Sequence, residues 1–150
     1  MVTRVSSKNV GIHEKEKISI LDLLEDLRSN KRFREVGAIA SFFGIVRGTG
    51  KDGKEVTGLD MEAYEDKAES VFASISEEMK KRPGIVDVLI HHVTGHLNLG
   101  DLIFVVMVAG SNRKNVFPTL IETVEKVKRE ATIWKKETLS SGESYWAEYG

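Results

Sequence analysis

Residues 85–109 read IVDVLIHHVTGHLNLGDLIFVVMVA, two apolar, β-branched runs separated by a segment that carries Gly95, Gly100 and Asp101. Ile85 to Val93 and Leu102 to Ala109 each have strand length. The second is so uniformly apolar that both of its faces are predicted to be covered. The covering elements lie on either side in the chain. Upstream, Glu65 to Lys81 places Ala68, Val71, Phe72, Ile75 and Met79 at helical spacing before Pro83 and Gly84 end it. Downstream, Lys114 to Arg129 repeats the period with Phe117, Leu120, Ile121 and Val124 as its buried stripe, capped by Ser111, Asn112 or Asn115. Farther out, Ser19 to Arg28 forms a first helix with Ser19 as cap and Ile20, Leu23, Leu24 and Leu27 facing inward. Val36 to Val46 and Glu55 to Tyr64 are strands around a glycine-rich loop. Ile133 to Thr138 and Glu143 to Ala147 flank Ser140, Ser141 and Gly142 as a terminal hairpin. The predicted order, αββαββαββ, is an α+β fold, a mixed sandwich. Residues 18–150 are expected to form a single domain, with 1–17 an N-terminal extension or an extra edge strand.

Composition narrows the function classes. The 150 residues hold 22 Lys and Arg against 23 Asp and Glu, so a net charge of -1 gives no overall field to draw the chain onto nucleic acid or an anionic membrane. Any anion must be bound by a local cluster. Aromatics at 7% argue against a stacking platform for single strands. The absence of cysteine excludes disulfides, thiolate metal sites and a cysteine nucleophile. No apolar run approaches the roughly 20 residues of a membrane helix, and the N-terminus lacks a signal-peptide core, so a cytoplasmic location is expected.

Several motifs fail on context. Gly48, Gly50 and Gly53 satisfy G-x-G-x-x-G, but a strand follows where a dinucleotide site needs a helix N-terminus, so a flexible hairpin connection is the better reading. His91 and His92 are adjacent on a strand and point to opposite faces, no H-E-x-x-H occurs, and no metal site is expected. No G-x-S-x-G elbow is present. The cations carry more. Arg47 ends a strand where the glycine-rich loop begins, and Arg113 stands at a helix N-terminus, where it opposes the macrodipole unless an anion is shared. Lys128 falls four residues after Val124 and seven after Ile121, continuing the apolar stripe, either snorkelling at a helix C-terminus or holding an ammonium in a pocket. Lys135 and Lys136 are consecutive on a strand, so only one of them can share that pocket.

The motifs VGAIASFFGIVR (36–47), LDMEAY (59–64), H-x-x-G-x-L-x-x-G-D (92–101), N-R (112–113) and K-x-x-x-x-x-W-K-K-E (128–137) occur in this order. In these residues the chain resembles the large, catalytic subunit of molybdopterin synthase. The resemblance implies a hammerhead-like sandwich with a small additional β subdomain, and a homodimer that binds a small ubiquitin-like sulfur carrier at each end to make a heterotetramer. The implied reaction is sulfur transfer from the carrier's C-terminal Gly-Gly thiocarboxylate to cyclic pyranopterin monophosphate, giving molybdopterin for molybdenum cofactor biosynthesis. It implies no metal and no organic cofactor. Sulfur arriving on the carrier would explain a cysteine-free sulfurtransferase.

Carried over by position, the resemblance makes Lys128 and Lys135 the catalytic cations. Arg47, Asn112 and Arg113 would hold the pterin phosphate or polar edge, with the backbone of Ile45 and Val46 beside it, and Lys136 and Glu137 would complete the binding segment. The pocket would draw on both protomers. The family usually has histidine where this chain has Asn112, an amide that cannot exchange protons near neutral pH. That departure sustains a rival expectation, a non-catalytic paralogue that holds a carrier tail or phosphorylated ligand in the same cationic pocket.

Overall fold

The computed structural model describes residues 9–50 and 52–147. Residues 1–8 of the N-terminal segment therefore lie outside the described residues. The elements in chain order are β1 (Val10–Glu14), α1 (Ile20–Arg28), a 3-10 turn (Phe33–Glu35), β2 (Ala38–Ile45), β3 (Val56–Ala63), α2 (Glu65–Lys80), β4 (Ile85–Asn98), β5 (Leu102–Gly110), α3 (Arg113–Glu130), β6 (Ile133–Leu139) and β7 (Ser144–Ala147). The strands line up as β2-β5-β4-β3-β6-β7, all antiparallel, and β1 adds in parallel to β4. No helix among the described residues is long and apolar enough to cross a membrane.

The 14-residue β4 ties the molecule together. From Ile85 to His92 it pairs with β5, β1 runs beside Ile90 to Thr94, and from Gly95 to Asn98 it pairs with β3. It thus passes from the main layer into a smaller β3-β6-β7 subdomain. The sequence reading ends this strand at Val93 and assigns Gly95 to a turn. Instead Gly95 takes φ +100 within the strand, and Leu97 beyond it is fully buried. Only glycine adopts that backbone without strain, and here it redirects the strand rather than reversing it. The reversal comes at Leu99 to Asp101, closed by Asp101 N–H donating to Asn98 O at 3.1 Å and Asn98 N–H donating to Asp101 Oδ2 at 2.7 Å.

Both faces of the β4-β5 pair are covered. On one side Leu23 and Leu27 of α1, each 0% exposed, pack on Leu89, Val105 and Met107. The Ser19 hydroxyl caps this helix, accepting from Asp22 N–H at 3.4 Å. On the other side α2 and α3 set Ala68, Phe72, Ile75, Met79, Val116 and Val127 against Val88, Ile90, Phe104, Val106 and Val108. Burying each such large side chain contributes about 1.5–3 kcal/mol, which makes this two-sided layer the rigid base for the loops at its ends.

Helix α3 corrects the predicted stripe. Its buried residues are Val116, Thr119, Thr123 and Val127, whereas Phe117 is 55% exposed and Ile121 64% exposed. The buried face is rotated by one position because Thr119 and Thr123 are tolerated inside, the Thr123 hydroxyl donating to Thr119 O at 2.6 Å. Leu120 and Val124 remain partly buried at the edge of that face. The β2-β3 connection also differs from a hairpin. An isolated Thr49–Glu55 bridge closes the glycine-rich loop, but β2 pairs with β5 while β3 pairs with β4 and β6.

Candidate active site

A cleft of about 380 Å³ opens between the end of β2, the C-terminal turn of α3 and strand β6. It is lined by Ile45, Val46, Arg47, Lys128, Lys135 and Glu137 over an apolar floor that includes Phe42 and Phe104. Six of the nine residues singled out from the sequence meet here. Arg47 lies just past β2, and its loop is anchored where Val46 N–H donates to Asp101 O at 3.0 Å and Gly100 N–H donates to Val46 O at 2.9 Å. Both backbone groups of Val46 are thereby spent on the fold. The backbone of Val46, expected beside a bound phosphate, thus fixes the loop that carries Arg47 at the cleft.

Lys128 reaches the cleft from the edge of α3's buried face, which is why the stripe argument found it although two stripe residues are exposed. Its Nζ stands 5.0 Å from the centroid of the Phe104 ring, a cation–π contact that holds the ammonium over the floor. Phe104 is held in turn. His92 stacks on it at 5.5 Å and 14°, and Phe72 backs His92 at 6.3 Å. Gly44 makes room for this ring, since a Cβ there would lie 2.8 Å from Phe104 Cδ1. Burial lowers the Lys128 pKa, the neighbouring Lys135 charge lowers it further, and Glu125 opposes both. A lysine held this way yields a proton more readily than one in water, and binds an anion with less competition from solvent.

Strand β6 supplies the opposite wall by parity. Lys135 and Glu137 share the face that looks into the cleft, and Lys135 Nζ lies 3.6 Å from Glu137 Oε1. Lys136 turns to the other face, where its Nζ sits 5.8 Å from the Trp146 ring centroid. Of the segment expected to bind, this cleft is thus lined by Lys135 and Glu137, with Lys136 on the opposite face. Glu137 is only 7% exposed, and its Oε2 accepts from Tyr145 Oη at 2.5 Å. The cleft therefore carries three cations and one carboxylate, a net positive site on a chain with net charge -1.

Asn112 and Arg113 are elsewhere. Both are exposed at the start of α3, and 15 residues of helix separate Arg113 from Lys128, a span of roughly 22 Å. Asn112 caps the helix, its Oδ1 accepting from Lys114 N–H at 2.9 Å. Within one protomer, Arg113 cannot hold the same small anion as Arg47.

His13, His91 and His92 are engaged within the fold. His92 Nδ1–H donates to Val93 O at 2.8 Å, and His13 Nε2 and His91 Nδ1 share a hydrogen bond of 2.8 Å. Burial drives the pKa of both His91 and His92 down to about 3, so neither is protonated at neutral pH. Among the described residues no group of three or more His, Asp or Glu is disposed to hold a metal ion. Sequence reasoning missed Phe104, Gly44 and Tyr145. Phe104 lay hidden in a uniform apolar run, and Tyr145 is visible only once β7 is set in register with β6.

Residues 13–130 match the sequence profile of the MoaE protein family. The chain is 36% identical over 131 residues to the probable molybdopterin synthase of Haloferax volcanii, covering 86% of this chain but only 49% of that protein, about half its length. It is 34% identical over 137 residues to the molybdopterin synthase catalytic subunit of Thermoplasma volcanium, covering 91% and 96% of the two chains. The crystal structure of molybdopterin synthase from Staphylococcus aureus superposes with a TM-score of 0.81 at 30% identity, over 93% of this chain and 97% of that one.

Proposed function

The chain belongs to the MoaE protein family, and from that premise we propose that it is the sulfur-transferring catalytic subunit of a cytoplasmic molybdopterin synthase. It converts cyclic pyranopterin monophosphate to molybdopterin with sulfur delivered as the C-terminal thiocarboxylate of a small carrier protein. The observation that carries this reading is the convergence of Arg47, Lys128 and Lys135 on one cleft with an aromatic floor. The substrate phosphate and the carrier's thiocarboxylate are both anions. A cationic cleft suits both anions, and the buried Phe104 ring beneath it supports Lys128.

In each of two successive transfers the carrier's sulfur bonds to a side-chain carbon of the pterin as the carbon–oxygen bond at that carbon breaks and its oxygen leaves protonated. Water then cleaves the acyl–sulfur bond, leaving the sulfur on the pterin and a carboxylate on the carrier. The protein supplies position and charge. Lys128 meets the carrier terminus and the reacting carbon, its lowered pKa suiting it to pass a proton to a leaving oxygen. Lys135 is the second cation, and Arg47 holds the phosphate or polar edge. Arg113, about a helix length from its own cleft, serves the cleft of a partner protomer in a homodimer, with Asn112 beside it. Exposed Phe117 and Ile121 on α3 and Ile39, Phe43 and Ile45 on β2 provide apolar surface for such an assembly. The carriers complete a heterotetramer. The paralogue reading rested on Asn112, whose side chain has a structural task as the α3 cap.

The test is a single-turnover assay that mixes the chain, a thiocarboxylated carrier and cyclic pyranopterin monophosphate, with product followed by mass. Dithiolene formed only when all three are present supports the reading. Carrier binding without product supports the paralogue.

A further inference from the structure

Taking the sulfur-transfer reading as its basis, the geometry points to Tyr145 as a positioning residue, whose hydroxyl holds the Glu137 carboxylate so that Lys135 keeps a working positive charge in the cleft. Tyr145 stands directly opposite Glu137 in the β6-β7 pair, so the two side chains share the cleft-facing side of the subdomain. The phenol donates to Oε2 at 2.5 Å, while Lys135 Nζ approaches Oε1 only to 3.6 Å. An O–H···O⁻ bond of that length is strong and directional, whereas 3.6 Å is beyond hydrogen-bond range. The tyrosine therefore sets the orientation of the carboxylate. Gly50 completes the arrangement: a Cβ there would lie 3.2 Å from Glu137 Oε2 and 3.4 Å from Tyr145 Oη.

The consequence is electrostatic. With Oε2 satisfied by the phenol, Glu137 has no reason to swing onto the ammonium, and Lys135 remains available to an anionic reactant. Without the hydroxyl, Oε2 becomes a nearly buried, charged acceptor lacking that donor, and such a group is costly. The closest relief is rotation onto Lys135, forming a tight pair that cancels the charge the site needs. The hydrogen bond to Glu137, with lesser contributions from burial and the Glu137 charge, pushes the Tyr145 pKa up to about 12. The phenol thus stays a donor throughout the neutral range.

Tyr145→Phe removes the hydroxyl and nothing else. The expected result is a single-turnover rate, at saturating carrier and pterin, reduced roughly ten- to hundred-fold by the misplaced carboxylate, with carrier affinity unchanged. In a Glu137→Gln background the same substitution has no further effect on rate. Wild-type rate in Tyr145→Phe, or equal losses in both backgrounds, overturns the proposal. An ultraviolet titration of the tyrosines tests the bond without requiring activity: Glu137→Gln brings the ionisation of Tyr145 back toward the ordinary phenol range, and an unmoved titration overturns the proposal. A wild-type chain that binds carrier but forms no product overturns the sulfur-transfer reading instead, and the positioning role falls with it even where the titration moves.

Discussion

Replacing His92 with leucine should flatten the acid dependence of folding stability. His92 is fully buried between Phe72 and Phe104, and its pKa is lowered from 6.5 to about 3, chiefly by burial, with the Lys128 charge adding to the shift and the Val93 carbonyl opposing it. The unfolded chain binds the proton more tightly than the folded one. The stability from keeping the ring neutral is therefore fully present above pH 6.5 and is lost progressively as pH falls toward 3. At pH 5 the loss amounts to about 2 kcal/mol for one such histidine. His91 carries a similar shift from burial and from His13, so the wild type should lose roughly twice that between pH 8 and pH 5, and His92→Leu about half. Urea denaturation at the two pH values measures this directly. At pH 8 the variant should already be less stable by about 1 kcal/mol through loss of the hydrogen bond to Val93. Equal pH slopes in variant and wild type would refute the reasoning, because they would mean that the ring can charge in place.

Gly44→Ala would push a methyl against the Phe104 ring, whose Cδ1 and Cε1 lie 2.8 and 2.9 Å from the Cβ position. It should cost about 1–3 kcal/mol of stability by thermal denaturation and lower turnover by displacing the floor beneath Lys128. Asn112→His should destabilise the protein by about 1 kcal/mol through loss of the α3 cap. No large gain in rate should accompany it; a large gain in the single-turnover assay would favour the incapacitated paralogue. Arg113→Ala and Lys128→Ala, each inactive alone, should complement when mixed and reassembled. Half of the dimers would then hold one intact cleft, restoring about a quarter of wild-type activity. Absence of complementation would place Arg113 outside the partner's site.

Much of the fold was readable because its signals were local. The Leu102 to Ala109 run required cover on both faces and has it, and the Ser19 cap and the Pro83–Gly84 stop mark helix ends where they fall. What eluded the sequence depends on contacts distant in the chain. Gly95 resembles any turn glycine until β3 pairs with the strand beyond it. Phe117 and Ile121 fit a buried stripe, and only the threonines packed inside α3 reveal that they face outward. The site divides in the same way. Strand parity separated Lys135 from Lys136, and helical spacing drew attention to Lys128. The distance of Arg113 from its own cleft follows from its place at the opposite end of α3 from Lys128.

The account rests most heavily on Lys128 as the cation that acts on the carrier terminus, and Lys128→Ala tests it. Single-turnover dithiolene formation and carrier affinity should be measured on the same preparation, alongside its dimer state and thermal unfolding. The account predicts a folded dimer that still binds carrier while turnover falls by at least about a hundred-fold. A folded variant that keeps wild-type turnover would contradict it.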